Sequence, residues 1–462
     1  MNPILNIDTY KASHPWQLPP GTKQSYSYIE SRKSNGHPRI MMFGLQMFIM
    51  KYLTKRITMA DINEAQEIFT AHGVPFYREG FVKIVHEHGG YLPIEIKALP
   101  EGTQVPHRTV LATITNTHDD FPWLPAYLET ALLRGIWYPS SVATNSRASK
   151  EVLMEYLNES SDNPDTEILY KLHDFGARGV SSEESAGIGG CAHLVNFRGT
   201  DTISGIMNAR KYYNEPMAGH SIAAMEHSTI TAWGRHGEID GFSNMMDHFA
   251  KPGAIMAAVS DSYDLWNAIK NIWGDTLRQR VIDSGATIVI RPDSGDPLTV
   301  PTQCINILGE KFGHTTNNRG FKVLPKCVRV IQGDGIDNVN TINSIYSTLL
   351  NEGWSADNLN IGQGGGLLQN VTRDTYGFAQ KASAIRIGNE WRDIYKEPVG
   401  DKGKASKRGR FVVTRERGKW ETLPLNSGHD WSDNLRTVYY NGELTRFDDF
   451  STIRARSNTY FE

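Results

Sequence analysis

The chemistry in this sequence sits in short, glycine-bearing stretches that could grip anions. Gly333-Asp334-Gly335 and Gly364-Gly365-Gly366 each let successive backbone N–H groups face one anion, as in a phosphate cradle. Two tight turns at positive φ would use the same glycines. Arg291-Pro292-Asp293-Ser294-Gly295 sets a permanent cation beside a carboxylate on a stiffened turn. Arg291 suits phosphate or carbonyl oxygen and Asp293 suits ribose hydroxyls or a magnesium shell, while a salt-bridged surface turn is the plainer alternative. In His173-Asp174-Phe175-Gly176-Ala177-Arg178, Phe175 offers a face for a flat heteroaromatic ligand, or a core contact, and Arg178 a cation for phosphate. His227, in Glu226-His227-Ser228-Thr229, opens a helix; it could accept a phosphoryl group or shuttle a proton, or simply belong to the cap. The basic run Lys402, Lys404, Lys407, Arg408, Arg410 reads as a solvated loop or a ligand grip, and Arg373 and Lys381 read by themselves as surface charges.

Composition removes several classes. Formal charge is −3 with both signs interspersed, which argues against a dedicated nucleic-acid binder. The three cysteines form no CxxC pair and no HExxH occurs, so neither a disulfide framework nor a cysteine-rich zinc site is expected. No apolar run reaches the length of about 18 residues needed to span a membrane, and the first residues lack a signal-peptide layout. The expected home is the cytoplasm, with no membrane partner.

The elements that must position these groups change rhythm along the chain. Residues 1–150 show short β-rich runs (Gln24–Ile29, Leu92–Ala98, Thr109–Asn116) and helices near Ala60–Thr70 and Leu124–Gly135, a mixed, largely antiparallel α+β domain. Over residues 151–370, apolar runs end one after another in polar loops: Ile168–Leu172, Leu194–Phe197, Ala254–Val259, Thr287–Ile290, Val328–Gln332 and Leu359–Ile361. Repeated strand, polar loop and helix predict an α/β architecture, read as an irregular (β/α) barrel ahead of an open doubly wound sheet. Residues 371–462 return to short strands (Arg410–Thr414, Thr437–Tyr440) and rejoin the mixed domain.

Taken together, HDFGARGVSSEESAGIGG, NFRGTDT, EHSTITAWG, SDSYD, IRPDSGDP, VIQGDGID and GQGGGLLQNVTRD resemble the nicotinamide phosphoribosyltransferase family in order and spacing, as do DTYKASH, YSYIESR, IEIKALPEG and YPSSVATNSR. The resemblance runs over nearly the whole chain. It implies a type II phosphoribosyltransferase barrel plus mixed domain, in a homodimer with shared active sites. It implies that nicotinamide stacks between Phe175 and Tyr10 of the partner subunit, with Asp8 beside that residue in the substrate region. Asp201 would accept from the carboxamide, Arg291 would lie near carbonyl and phosphates, and Asp293, Gly333 and Asp334 near the ribose. Gly364 and Gly365, with Arg373 of the partner subunit and Lys381 of the partner subunit, match the 5′-phosphate positions; Arg178, Arg32 and Lys407 would face pyrophosphate. His227 matches a histidine phosphorylated when ATP hydrolysis is coupled to synthesis, with Asp261 orienting its ring. Ala177 stands where animal members carry an aromatic residue, and Ala379 where a hydroxyl would help bind phosphate.

The implied reaction joins nicotinamide to 5-phosphoribosyl 1-pyrophosphate in NAD salvage, with Mg2+ as cofactor and ATP as coupled co-substrate. Such chemistry needs positioning and charge stabilisation more than a protein nucleophile. A nicotinate phosphoribosyltransferase on the same scaffold and a non-catalytic interaction protein are the alternatives. An aldolase-type barrel ranks last, because no lysine sits at a strand exit.

Overall fold

The computed structural model describes residues 2–400, 405–427 and 432–459; Lys402 and Lys404 of the basic run lie outside them. The chain forms two compact units: Met1–Thr144 with Asn208–Pro216 and Val371–Glu462, and Asn145–Met207 with Met217–Asn370. Residues 208–216 thus cluster with the first unit although they lie inside the barrel stretch of sequence.

The first unit is built on a seven-stranded antiparallel sheet in the order Glu390–Asp393, Ala379–Ile387, Thr22–Glu30, Val110–Asn116, Ile94–Ala98, Arg436–Tyr440, Glu443–Leu444. Ile94, Ile96 and Ala98 point inward at every second position, as the pleat requires. The helix expected near Ala60–Thr70 is Met59–His72, started by a Thr58–Asp61 capping box and stopped at Gly73 with φ 83°. It buries Ile62, Ala65 and Phe69, one helical stripe. The helix expected to end at Gly135 instead continues as Glu129–Ser160 through Pro139. Gly135 is not a stop there; a Cβ on it would fall 2.6 Å from the Phe48 ring, so it serves close packing.

The second unit carries seven parallel strands: β1 Leu172–Asp174, β2 Gly199–Thr200, β3 Ala223–Ala224, β4 Ile255–Val259, β5 Thr287–Arg291, β6 Val328–Gln332 and β7 Leu359–Gln363. Their order in the sheet is β2-β1-β7-β6-β5-β4-β3. The two edges meet: His220, just before β3, donates to the Arg198 carbonyl (2.7 Å) and accepts from Thr200 N–H (3.1 Å) at β2. The result is an irregular barrel with strands in chain order. Ile288 and Ile290 of β5 pack outward with Cys304, Ile305 and Leu308 of the helix Val300–Phe312. The intervening Val289 joins Ala257 and Ile331 in a small separate cluster, against which Phe175 packs.

Two expected strands are corrected. Ile168–Tyr170 is a 3-10 turn, and the strand begins only at Leu172. Leu194–Phe197 is the frayed end of the helix Glu183–His193, with Leu194 N–H on Gly190 O at 3.1 Å; the strand is Gly199–Thr200. A short apolar run buried on all sides looks the same in a helix end as in a strand.

Candidate active site

Because all barrel strands run the same way, their C-terminal ends open onto one face, and the exits carry the polar groups. Phe175 leaves β1, Asp201 leaves β2, and His227 follows β3. Asp261 leaves β4, Arg291 ends β5, Gly333 leaves β6 and Gly364 leaves β7.

Phe175 is held by its backbone N–H on Gln363 O (3.0 Å), and its ring lies over the backbone of Gly362. A Cβ at Gly362 would come within 2.0 Å of that ring, and one at Gly333 within 3.3 Å. These glycines are therefore the floor under an aromatic plate. His173 tilts against the plate, ring centroids 4.9 Å apart.

His173 also reaches Asp201, Nε2 to Oδ1 at 2.9 Å, and Ser221 Oγ donates to the same oxygen. Burial raises the Asp201 pKa, but the His173 contact, Ser221 and the charge of Arg291 outweigh it and hold the carboxyl below its ordinary value. With its side chain 46% exposed, Asp201 is an ionised acceptor open to the mouth. Its neighbour Asp174 is fully buried, accepts from Gly176 N–H (2.7 Å) and is pushed up by desolvation, so it serves the turn rather than a ligand.

A second cluster joins β3, β4 and β5. Asp261, only 4% exposed, takes His227 Nε2 on Oδ1 (3.0 Å) and Asp293 N–H (3.1 Å) and Ser294 Oγ on Oδ2. His227 is 45% exposed, and its Nδ1 stands 3.8 Å from Asp293 Oδ2. Arg291 NH2 lies 3.6 Å from the same Asp293 oxygen, while Arg291 Nε is buried with no hydrogen-bond partner. A buried guanidinium donor left unmatched costs stability, so a ligand oxygen fits there.

At β7, Gly364 caps the short helix Gly365–Leu368 with φ −99° and ψ −112°. A Cβ on Gly365 would meet nothing within 4 Å, so its backbone faces open space. Asp334 and Arg178 are exposed on their loops. The barrel thus brings together Phe175, Asp201, His227, Asp261, Arg291, Asp293, Gly333, Gly364 and Gly365 at its open face, with Arg178 and Asp334 on its rim.

The remaining expected residues belong to the first unit. Tyr10 is 61% exposed on the turn Thr9–Trp16, and Asp8 at its start accepts from Thr130 Oγ1 at 2.6 Å. Lys381 has its pKa lowered by burial first and then by Arg32, Lys396 and Arg373, against the pull of Glu129. Those four cations are therefore one positive region. Lys407 pairs with Glu30 and donates its N–H to Tyr28 Oη at 2.8 Å, while Arg373 pairs with Asp374 at 2.9 Å. Sequence reasoning missed His173, Ser221 and Ser294 as partners of the two aspartates. His173 sat inside a motif already marked, whereas Ser221 carried no signal 20 residues from Asp201.

Residues 170–443 match the nicotinate phosphoribosyltransferase (NAPRTase) family, and residues 2–96 match the nicotinamide phosphoribosyltransferase N-terminal domain. The chain is 49% identical over 463 residues to a nicotinamide phosphoribosyltransferase of Xanthomonas campestris, covering 99% of this chain and 98% of that protein. It is 31% identical to a nicotinamide phosphoribosyltransferase of Acinetobacter baylyi, covering 99% and 97%. The fold is shared with nicotinate-nucleotide pyrophosphorylase from Pyrococcus furiosus, TM-score 0.62 at 16% identity, covering 99% and 95%. It is also shared with human nicotinic acid phosphoribosyltransferase, TM-score 0.57 at 15% identity, covering 97% and 92%.

Proposed function

The chain belongs to the nicotinate phosphoribosyltransferase family, and we propose that it transfers the phosphoribosyl group of 5-phosphoribosyl 1-pyrophosphate to nicotinamide, giving nicotinamide mononucleotide and pyrophosphate for NAD salvage. The observation that carries this reading is the pairing of an aromatic plate with an ionised acceptor: Phe175 for the pyridine ring, and Asp201, held by His173 and Ser221, for the carboxamide N–H. The whole-length relatives named nicotinamide phosphoribosyltransferase support the same substrate.

The pyridine nitrogen attacks ribose C1 and pyrophosphate leaves with the C1–O electrons, through a transition state of oxocarbenium character. Arg291, whose Nε lacks a partner, neutralises donor oxygens; Asp293 and Asp334 take ribose hydroxyls; the amides at Gly364 and Gly365 take the 5′-phosphate. Asp293 and Asp334 offer the hard oxygen donors magnesium prefers, one or two carboxylates completed by phosphate, and magnesium bound there would neutralise the departing pyrophosphate. In a homodimer, Tyr10 of the partner subunit would cover the other ring face, and the basic set around Lys381 would meet phosphate. The exposure of Tyr10 is consistent with that use.

For ATP coupling, His227 takes the γ-phosphoryl group, releasing ADP, and later loses it to water. Asp261 accepting from Nε2–H leaves Nδ1 with its lone pair for the attack. The phosphorylated ring would then add negative charge beside the donor site.

Nicotinate as the true substrate is the second reading, favoured by the family match over residues 170–443. Mononucleotide formation with nicotinamide and nicotinate in parallel, each with and without ATP, separates the two. Product from nicotinamide, enhanced by ATP, is expected. Product mainly from nicotinate would overturn the specificity, and product from neither would leave a non-catalytic binding protein.

A further inference from the structure

Far from the barrel chemistry in sequence, the first unit holds a group of three side chains that the proposed reaction does not use. Glu87 ends the helix Arg78–Glu87, His88 caps it, and His118 sits in the turn after the strand Val110–Asn116. One donor atom from each lies within 4.8 Å of the others, and no other such trio occurs among the described residues.

Three features set this apart from a chance meeting of surface groups. Both backbones are fixed: His88 N–H donates to Ile84 O (3.0 Å), and the His118 carbonyl accepts from the side chain of fully buried Asn116 (2.8 Å). The His88 ring meets both His118 (5.1 Å) and fully buried Phe121 (5.3 Å) edge-on, and His118 and Phe121 also touch (5.5 Å), so the three rings hold one another in place. Finally, His88 Nε2 is shielded from solvent and has no hydrogen-bond partner. A buried imidazole nitrogen without a partner is costly in a protein that needs nothing there.

We propose that Glu87, His88 and His118 form a second, non-catalytic metal site that takes a divalent ion of the zinc class. Two imidazoles and one carboxylate are a borderline donor set, suited to zinc rather than to calcium or magnesium. Tetrahedral zinc wants donors about 3.3 Å apart, given bonds of about 2 Å. The exposed Glu87 side chain can supply the small closure, and water fills the fourth position.

The surrounding charges fit. Asp120 sits against the His118 ring: its backbone N–H donates to His118 Nδ1 (3.3 Å), and its carboxylate lies 3.6 Å from the same nitrogen. The competing cation, Lys83, is hydrogen-bonded to Asp120 and ion-paired with Glu87 at 3.8 Å, so a metal would draw the exposed Glu87 carboxylate away from Lys83, which keeps Asp120. Bound there, the ion would tie the end of a helix to the exit of a sheet strand within the first unit.

The test uses untagged full-length protein, stripped with EDTA and dialysed against zinc chloride, with bound metal counted by mass spectrometry. One zinc per chain and a zinc-dependent rise in melting temperature are expected, and cobalt in its place should give the intense visible bands of a four-coordinate site. His88→Gln with His118→Gln should melt like the wild type in EDTA yet lose the bound zinc and the rise. His118→Gln alone, at a partly exposed position, keeps the test sound if the double variant does not fold. His86→Gln on the same helix should change nothing. No stoichiometric zinc on the wild type, or zinc retained by the His118→Gln or double variant, would overturn the site.

Discussion

Adding one methyl group at Gly362 should disable the aromatic plate without touching any polar group. The new Cβ would lie 2.0 Å from Phe175 Cε2, 2.3 Å from Cδ2 and 2.9 Å from Cζ. Carbon atoms rest at about 3.5–4.0 Å, so the ring must retreat by at least about 1.5 Å. It cannot sink, because Ala257, Val289 and Ile331 fill the barrel beneath it, and its backbone is tied to Gln363. The only way out is toward the open face, where the pyridine would stack. Overpacking of this kind costs about 1–3 kcal/mol of stability. A misplacement of about 1 Å in a substrate-positioning group costs about 100-fold in rate, or about 2.7 kcal/mol. Steady-state kinetics of mononucleotide formation by Gly362→Ala should therefore show kcat/KM for nicotinamide down about 100-fold in protein that still melts cooperatively. Since the effect runs through Phe175, Gly362→Ala with Phe175→Ala should be no worse than Phe175→Ala alone. A single variant within about threefold of wild type, or losses that add in the double variant, would refute the stacking argument.

Gly365→Ala is the counterpart: its Cβ meets nothing within the chain, so the melting temperature should hold, yet a methyl group in the open space that the phosphate would fill should raise KM for phosphoribosyl pyrophosphate about tenfold. Asp201→Ser should let nicotinate compete. Two carboxylates about 4 Å apart repel by about 4 kcal/mol at an effective dielectric of 20, and the exposure of Asp201 halves this to about 2 kcal/mol, or about 30-fold in the ratio of kcat/KM values. Unchanged selectivity would disprove that role. His227→Ala should lose ATP stimulation while keeping basal synthesis, and persisting stimulation counts against phosphoryl transfer to that ring. Glu101 offers a pH test away from the site: burial pushes its carboxyl from 4.5 up to about 7, opposed by hydrogen bonds from Gln46 N–H and Tyr213. Between about pH 5 and 7 the unfolded chain loses this proton and the folded one keeps it, so stability falls by about 3 kcal/mol as pH rises and levels off above 7. Glu101→Gln should flatten that slope in thermal melts; an equal slope would assign it elsewhere.

The groups most legible in the sequence were those placed by long buried strands. Ile255–Val259, Thr287–Arg291, Val328–Gln332 and Leu359–Gln363 are apolar and β-branched enough to be read directly, and their exits gave Asp261, Arg291, Gly333 and Gly364. The barrel's other side was harder, because β2 and β3 are two residues each and carry no periodicity. Asp201 was found through its motif, but its support was not: His173 and Ser221 come from different exits and meet only once the sheet curls. The helix Glu129–Ser160 was cut short at Gly135, which here serves packing against Phe48, and it runs on through Pro139. The trio at Glu87, His88 and His118 has no motif, since His118 lies about 30 residues after the adjacent Glu87 and His88 and only the turn after a strand brings it to them.

The barrel has one weak seam. Between β2 and β3 the pairing, among the described residues, is a single bridge, Gly199 with His220, made by the two backbone hydrogen bonds of His220. Asp201 stands on one lip of that seam and Ser221 on the other, and the hydrogen bond between them is a clasp across it. A ligand that engages Asp201 therefore bears on the same clasp, so the binding of a small aromatic amide and the shutting of the barrel wall are one event in free energy.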